Sequence, residues 1–331
     1  MTTAPLNVAI LGVGALGTLF GSRLKDHANV TLIGTWQAQI ETLQQQGLRV
    51  IHPDGSESHH FLRVTADLAD MPPVDVVLVL VKSHQTGRAA AQAAALLRPG
   101  GLAITLQNGL GNLEQLAQRV GSERAVQGIT AQGATILAPG QLRHAGTGPT
   151  YLARVPGRER QIEAVAELFN RAGLATEVVD DAASLVWGKL AINAGINPLT
   201  ALLGLPNGAL VEDESLRHLM AAAAEEVAQL ARAQGIELPY ADAAQRTAEV
   251  SRATAANRSS MLQDMSRYAP TEIEAICGAI VRIGQALGVP TPVNRFFLEA
   301  ITSKEAGRAA LSLDRTQIDT IYNQESEVWI S

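Results

Sequence analysis

The chain has one cysteine and no long apolar segment. Cys277 is the only cysteine among 331 residues, which excludes an internal disulfide and a cluster of thiolate ligands. No apolar run reaches the roughly 18–20 residues that a membrane span requires. The N-terminal residues lack the basic and apolar regions of a secretory signal. We therefore expect a cytoplasmic protein that does not enter a membrane.

Basic residues are also scarce. There are 26 Lys and Arg against 32 Asp and Glu, so no basic surface for nucleic acid is expected. The 7 histidines show no metal-ligand spacing with carboxylates on one helix face, and no metal site is predicted. A hydrophobic content of 47% with 18% charged residues is typical of a globular protein, and the length allows two domains.

A glycine-rich segment, Gly12-Val13-Gly14-Ala15-Leu16-Gly17, follows a short apolar run and precedes a predicted helix. In such a strand-to-helix turn, Gly12 permits the tight turn and Gly14 lets the backbone approach a pyrophosphate. Gly17 allows the helix to pack closely on the strand. The N–H groups at the start of the helix then face the phosphates. The six residues predict a dinucleotide-binding turn.

Strand-like and helix-like segments alternate up to about residue 180. Val74 to Val81 and Leu102 to Leu106 read as strands on either side of an Ala-rich helix, and residues 141–150 as a hairpin. Beyond residue 180 a helical period continues to the C-terminus. We predict an α/β N-terminal Rossmann-type domain with a mainly parallel sheet over residues 1–180, followed by an all-α C-terminal domain over 181–331. Residues 311–331 are expected to be a short helix or a loose tail.

The end of the second predicted strand is where the adenosine ribose is normally recognised. An acidic residue there accepts from the 2′-hydroxyl of NAD, and a nearby Arg accommodates the phosphate of NADP. This chain has Gly34-Thr35-Trp36-Gln37, with neither group. The loop therefore leaves the choice between NADH and NADPH open.

Lys189, Asn193 and Asn197 are spaced four residues apart in a segment that is otherwise apolar or small. On a helix they share one face, one turn above another. An ammonium and two carboxamides on such a face can hold and protonate a polar carbonyl compound. The alternative is an exposed helix with incidental polar residues. Because Asn197 precedes Pro198, we expect it at or near the end of the helix.

Seven further sequence blocks are spread along the chain. They are Val81-Lys82, Gln107 to Gly111, Trp187 to Leu190, Asn197 to Ala201, Pro206 to Gly208, Ser259 to Asp264 and Thr271 to Ile273. Together with the glycine-rich turn, these blocks resemble the ketopantoate reductase family, the 2-dehydropantoate 2-reductases of pantothenate biosynthesis. The resemblance covers nearly the whole chain.

The resemblance implies roles for individual residues. Lys189 resembles the proton donor of the family. The residues that fall where the family binds the ketoacid are Asn193, Asn197, Asn207 and Ser260. The residues that fall at its cofactor site, beyond the glycine-rich turn, are Lys82, Asn108, Ala134 and Glu272. One departure is Thr35, where many members carry an arginine that supports a preference for NADPH.

Three of these residues have simpler interpretations that the sequence leaves open. Glu272 follows Pro270 and Thr271, as an ordinary first-turn glutamate does. Lys82 also reads as a solvated lysine at a strand end, and Asn108 as a turn residue before Gly109. Lys189 has independent physical support, because a lysine whose pKa is lowered by burial can donate a proton near neutral pH.

We therefore expect an NADPH-dependent reductase that converts 2-dehydropantoate to (R)-pantoate, with NADH as the other candidate cofactor and a homodimer compatible with the resemblance. The same scaffold would also suit another branched 2-ketoacid or 2-hydroxyacid, because one methylene changes discrimination by only about 1–3 kcal/mol. A non-enzymatic sensor of the dinucleotide is the alternative from another class. A sensor has no use for the Lys–Asn–Asn face.

Overall fold

A computed structural model describes residues 5–69 and 71–307 and divides them into two compact units. The first unit contains the described residues up to Gln107 together with Gly111–Ala182. The second contains Asn108–Leu110 and the described residues from Ala183 onward. The segment 311–331, predicted as a helix or tail, lies outside the described residues.

Eight strands form the main sheet of the first unit. They are β1 (Asn7–Leu11), β2 (Asn29–Ile33), β5 (Arg63–Thr65), β6 (Val74–Val79), β7 (Leu97–Thr105), β8 (Ala125–Thr130), β11 (Thr150–Ala153) and β12 (Thr176–Val179). Their order across the sheet is β12-β11-β8-β7-β6-β1-β2-β5. Every neighbouring pair is parallel except β8 with β11. The predicted mainly parallel sheet is confirmed.

Helices connect these strands and bury the sheet. They are α1 (Ala15–Leu24), α2 (Gln37–Gln45), α3 (Thr86–Leu96), α4 (Asn112–Val120) and α5 (Glu159–Arg171), with a 3-10 turn at Ser83–Gln85. All six residues of β6 are buried, as expected for a central parallel strand with both faces covered. Separate apolar clusters pack against the sheet. The ends of β1, β6 and β7, which carry the glycine turn, Lys82 and Gln107, are thereby held rigidly.

The first unit also has a second sheet, which the sequence did not predict as such. Its strands are β3 (Leu48–Ile51), β4 (Glu57–His60), β9 (Gly133–Ala138) and β10 (Gln141–Gly146), in the order β4-β3-β10-β9. The hairpin joins β9 to β10 through residues 139–140, so its predicted extent of 141–150 is wrong. Gly146 ends a strand, and Thr150 begins a strand of the main sheet.

The second unit is helical, as predicted. Its helices are α6 (Ala183–Leu203), α7 (Ala209–Glu212), α8 (Glu214–Ala233), α9 (Ala243–Ala253), α10 (Ser260–Met265), α11 (Ala279–Leu287) and α12 (Pro292–Glu305). A π-helical turn, Glu274–Gly278, precedes α11. Helix α6 packs against α8, α9, α10 and α12 around one apolar core. Among the described residues, no helix is long and apolar enough to cross a membrane.

Helix α6 continues through Pro198, so the expectation that Asn197 lies near its end is wrong. Proline removes one backbone donor and disfavours a helical conformation in the preceding residue. Here the turn is buried, and the Thr200 hydroxyl donates to the carbonyls of Ile196 (3.0 Å) and Asn197 (2.9 Å). Tertiary packing and this local bond outweigh the proline, and Asn197 stays on the helical face.

Candidate functional site

The three motif glycines of the first unit have different structural duties. A Cβ on Gly12, whose φ is +125°, would lie 2.7 Å from the Leu80 carbonyl oxygen. A Cβ on Gly17 would lie 2.0 Å from the Gly12 carbonyl oxygen, whereas one on Gly14 would meet no atom within 4 Å. Helix α1 starts at Ala15 with no side-chain cap and no acidic residue in its first turn. Open space and uncapped N–H groups at this point fit a pyrophosphate.

The loop after β2 is open to solvent. Thr35 is exposed, and the side chain of Trp36 is 41% exposed at the start of α2. A Cβ on Gly34 would lie 2.5 Å from Val13 Cγ2, so the loop is held closely against the glycine-rich turn. Thr35 is therefore accessible from solvent. It offers a hydroxyl and no charge.

Gln107 fixes the loop that bears Lys82, a connection that the sequence reasoning missed. Its Nε2 donates to the Val81 carbonyl oxygen (2.9 Å) and to Thr86 Oγ1 (2.8 Å), while Thr105 Oγ1 donates to its Oε1 (2.9 Å). Lys82 itself is half-buried and immediately precedes the 3-10 turn. The only signal of this connection in the sequence is that Gln107, like Lys82, follows a predicted apolar strand.

Ala134 lies in β9, opposite His144, and is half-buried against the apolar core of the first unit. The strand that carries it contacts α1, the helix that follows the glycine-rich turn. The described contacts of Ala134 are those of a packed strand residue.

The predicted face of α6 is present in the second unit. Lys189 and Asn193 are half-buried and Asn197 is buried. Protein atoms around Lys189 displace much of its hydration although part of its surface stays accessible. Burial lowers the pKa of Lys189 to about 8, and the negative charge of Glu272 acts in the opposite direction. A lysine with such a pKa is protonated at neutral pH and is able to give up its proton there.

Glu272 and Asn108 lie together in the second unit. The Glu272 side chain is buried, and Asn108 Nδ2 donates to its Oε2 at 3.2 Å. Thr271 Oγ1 accepts from the Ile273 N–H (3.2 Å), and the Thr271 N–H donates to Glu305 Oε1 (2.7 Å). Glu272 precedes the helical turn Glu274–Gly278, whose first-turn acidic residue is Glu274, so the interpretation as an ordinary first-turn glutamate is wrong. Its buried carboxylate instead accepts from Asn108.

Asn207 and Ser260 are held by other elements of the second unit. The Asn207 N–H donates to the Asn257 carbonyl (2.9 Å), and its Nδ2 donates to Thr254 Oγ1 (2.9 Å). Ser260 is exposed at the first position of α10, whose cap is Ser259. Thr200 Oγ1 and Ser259 Oγ are hydrogen-bonded at 2.7 Å, which ties this helix start to α6. Of the predicted residues, the structure brings Lys189, Glu272 and Asn108 most clearly together.

Two interior glycines of α6 mark close contacts that the sequence reasoning did not use. A Cβ on Gly188 would lie 2.7 Å from Pro239 Cδ, and one on Gly195 would lie 2.8 Å from the Met220 carbonyl oxygen. The hydroxyl of Tyr240 donates to the Gly188 carbonyl at 2.6 Å, next to Lys189. Glycine inside a helix is unfavourable, so its presence there was the available signal of close packing.

Comparisons with known proteins agree along nearly the whole chain. The family described as Ketopantoate reductase PanE/ApbA matches residues 8–157, and its C-terminal counterpart matches residues 181–305. The 2-dehydropantoate 2-reductase of Halobacterium salinarum is 35% identical over 89% of this chain and 98% of its own length. That of Archaeoglobus fulgidus is also 35% identical, over 91% of this chain and 98% of its own.

Two solved structures are similar to the fold. The ketopantoate reductase of Ralstonia eutropha JMP134 has a TM-score of 0.83 at 29% identity, covering 91% of this chain and 99% of its own. D-mandelate dehydrogenase with NADH and anilino(oxo)acetate has a TM-score of 0.84 at 25% identity, with the same coverage. A nicotinamide-cofactor site and oxidoreductase chemistry follow from these likenesses and from the glycine-rich turn. The chain belongs to the ketopantoate reductase family.

Proposed function

We propose that this protein reduces 2-dehydropantoate to (R)-pantoate, with NADPH as the preferred hydride donor, as a step of pantothenate and coenzyme A biosynthesis. The observation that carries the proposal is the half-buried lysine of α6, Lys189, whose pKa is lowered to about 8 beside the carboxylate of Glu272. The names of the two 35%-identical relatives support the choice of ketoacid.

The chemistry needs a donor at the ketone oxygen. When bound, the nicotinamide cofactor supplies a hydride to the C2 carbon of the ketoacid. Negative charge then develops on the ketone oxygen, and a donor placed in advance stabilises it. Lys189 first hydrogen-bonds this oxygen and then transfers its proton to it. The neutral amine that remains takes up a proton from solvent, which regenerates the ammonium.

Glu272 and the asparagines hold the reactants without competing for that proton. A buried carboxylate keeps Lys189 from losing its proton too early, because it opposes the effect of burial on the lysine pKa. Asn193 and Asn197 offer amide donors and acceptors to the carboxylate and hydroxyl of the substrate and add no charge. Asn207 and Ser260 complete this set in our proposal.

The first unit binds the pyrophosphate of the cofactor in this proposal, through the backbone of Gly12–Gly17. The residues proposed to contact the nicotinamide half, as the family resemblance implies, are Lys82, Asn108, Ala134 and Glu272. The loop Gly34–Gln37 has no acid that would repel a 2′-phosphate. The preference for NADPH is therefore expected to be weaker than in relatives that carry an arginine there.

Steady-state turnover tests the proposal directly. The purified protein is assayed with 2-dehydropantoate, 2-oxoisovalerate, 2-oxoisocaproate and benzoylformate, each with NADPH and with NADH. We expect the largest kcat/KM for 2-dehydropantoate with NADPH. A larger kcat/KM for any other ketoacid contradicts the substrate assignment, and absence of turnover with every substrate contradicts the enzymatic function.

A second candidate is an NADH-dependent dehydrogenase of another 2-hydroxyacid. Its support is the likeness to D-mandelate dehydrogenase with NADH, together with the uncharged side chain of the exposed Thr35. In the same set of assays it predicts a preference for NADH and for an aromatic or unhydroxylated 2-ketoacid. The reverse reaction with D-mandelate and NAD distinguishes it further.

A further inference from the structure

The turn that follows Glu272 is a π-helix, although the sequence pattern predicts one continuous helix over residues 271–287. The N–H of Gly278 donates to the carbonyl of Ile273, five residues earlier, at 3.0 Å. The N–H of Ala279, which in an α-helix would bond the Ala275 carbonyl, bonds that of Ile276. Single π-turns are rare and occur frequently at functional sites.

A tripeptide from far earlier in the chain docks on this turn. Asn108–Leu110 belongs to the second unit, although the residues on either side of it belong to the first. The Leu110 N–H donates to the Ala275 carbonyl at 2.8 Å. Gly109 has a φ of +80°, and a Cβ there would lie 2.4 Å from the Ala275 carbonyl oxygen. Only glycine fits so close to the turn.

The first residue of the docked tripeptide, Asn108, contacts Glu272. Asn108 Nδ2 donates to Glu272 Oε2 at 3.2 Å, near the long end of the range for N–H···O bonds. A small displacement of the tripeptide therefore removes this bond. The carboxylate of Glu272 also acts on Lys189.

We propose that the π-turn Glu274–Gly278, which we call the latch, binds Gly109 and Leu110. It thereby positions Asn108 against Glu272 for the reaction. Gly109 and Leu110 act through Asn108 and Glu272, and are positioning residues. This inference rests on the proposed function, because it takes the reduction of a ketoacid as its readout. It gives a role to Gly109 and Leu110, whose side chains carry no reactive group.

The chain offers a matched pair of glycines for the test. Gly111 has a φ of +87°, like that of Gly109, but a Cβ there meets no atom within 4 Å. Gly109→Ala and Gly111→Ala carry the same cost of a left-handed alanine, and only Gly109→Ala collides with the latch. We expect kcat of Gly109→Ala to fall at least about tenfold below that of Gly111→Ala. Equal kcat in the two folded variants would overturn the latch.

A double-mutant cycle separates positioning from general damage. If Gly109 acts through Asn108, Gly109→Ala costs no more than Gly111→Ala in an Asn108→Leu background. Additive losses would mean that Gly109 acts by another route. Asn108→Leu alone should move the alkaline limb of the kcat profile to higher pH, because Glu272 loses a neutral donor that competes with Lys189 for its charge. An unmoved limb contradicts the latch even where Gly109→Ala does not fold.

The failure of the proposed function is distinguishable from that of the latch. Absence of ketoacid turnover in the wild-type protein contradicts the function alone. The latch is then judged by the dissociation constant of NADPH, measured by fluorescence. It predicts at least about threefold weaker binding in Gly109→Ala than in Gly111→Ala, and equal affinity would overturn it.

Discussion

The two units build their candidate sites from different atoms. In the first unit the glycine-rich turn offers backbone N–H groups, and its three glycines leave space because they have no side chain. Gly12 and Gly17 leave room for backbone carbonyls, and Gly14 leaves room for a ligand. In the second unit the site consists of side chains, and Lys189, Asn193 and Asn197 project from one buried helix.

This difference decides how each site tolerates change. A backbone site fails when any side chain intrudes, whatever its chemistry. A side-chain site fails when one functional group is lost, although the fold survives. Predictions for the two units therefore differ in kind, and each can be measured against a control.

The largest expected effect is at Lys189. Lys189→Met keeps an apolar stem of similar volume but has no proton to donate, so kcat should fall by about 10²–10⁴. The dissociation constant of NADPH should change little, because the glycine-rich turn lies in the first unit. Stopped-flow and fluorescence titration give the two numbers. A variant that keeps more than half of the wild-type kcat at saturating 2-dehydropantoate excludes Lys189 as the donor.

The glycine-rich turn of the first unit should show the opposite pattern. Gly17→Ala places a Cβ 2.0 Å from a backbone carbonyl oxygen and should lower the free energy of unfolding by about 3 kcal/mol. Gly14→Ala meets no protein atom and should leave the melting temperature unchanged. It should weaken the binding of NADPH about tenfold, because its methyl group occupies the space for the pyrophosphate. Normal NADPH affinity in Gly14→Ala would place the pyrophosphate elsewhere.

The sequence predicted the parts of each site that are close together along the chain and missed those that are far apart. The glycine-rich turn is contiguous, and the face of α6 repeats within one helix, so both leave a pattern in the sequence. The bond from Asn108 to Glu272 joins residues 164 positions apart and leaves none. A single π-turn adds one residue to a helical period, too little to detect. The resemblance to the family named Glu272 but gave no reason for its position.

The pH dependence tests the electrostatics of the second unit. Lys189 must be protonated to donate, and burial lowers its pKa to about 8. Reduction should therefore be constant below that pH and fall tenfold per unit above it, since the protonated fraction falls in that way. Glu272→Gln removes the charge that raises this pKa and should move the limb to lower pH. A limb that does not move would mean that the charge of Glu272 does not act on Lys189.

Cofactor choice should respond to a single exposed residue of the first unit. Thr35→Arg supplies a charge-assisted contact and should strengthen the preference for NADPH by about 1–2 kcal/mol, while Thr35→Asp should reverse it. Thr35→Ser, which keeps the hydroxyl, is the control. The readout is the ratio of kcat/KM for NADPH and NADH. A ratio that stays constant across all three variants means that residue 35 does not face the ribose.

The smallest expected effect concerns backbone strain in the second unit. Among the described residues, Tyr268 is the one non-glycine residue with a positive φ, +54°, and its side chain is 99% exposed. It follows α10 in the αL position that glycine favours, with the Tyr268 N–H donating to the Met265 carbonyl and the Ala269 N–H to that of Asp264.

Tyr268→Gly should therefore raise the free energy of unfolding by about 0.5–1 kcal/mol, because relief of the left-handed strain exceeds the entropy gained by the unfolded chain. No packing is lost with so exposed a side chain. Gly288→Ala is the reverse control, since Gly288 ends α11 with a φ of +70° and open space around it. It should lower stability by a similar amount in urea unfolding. If Tyr268→Gly destabilises the protein instead, the entropy gained by the unfolded chain exceeds the strain that is relieved.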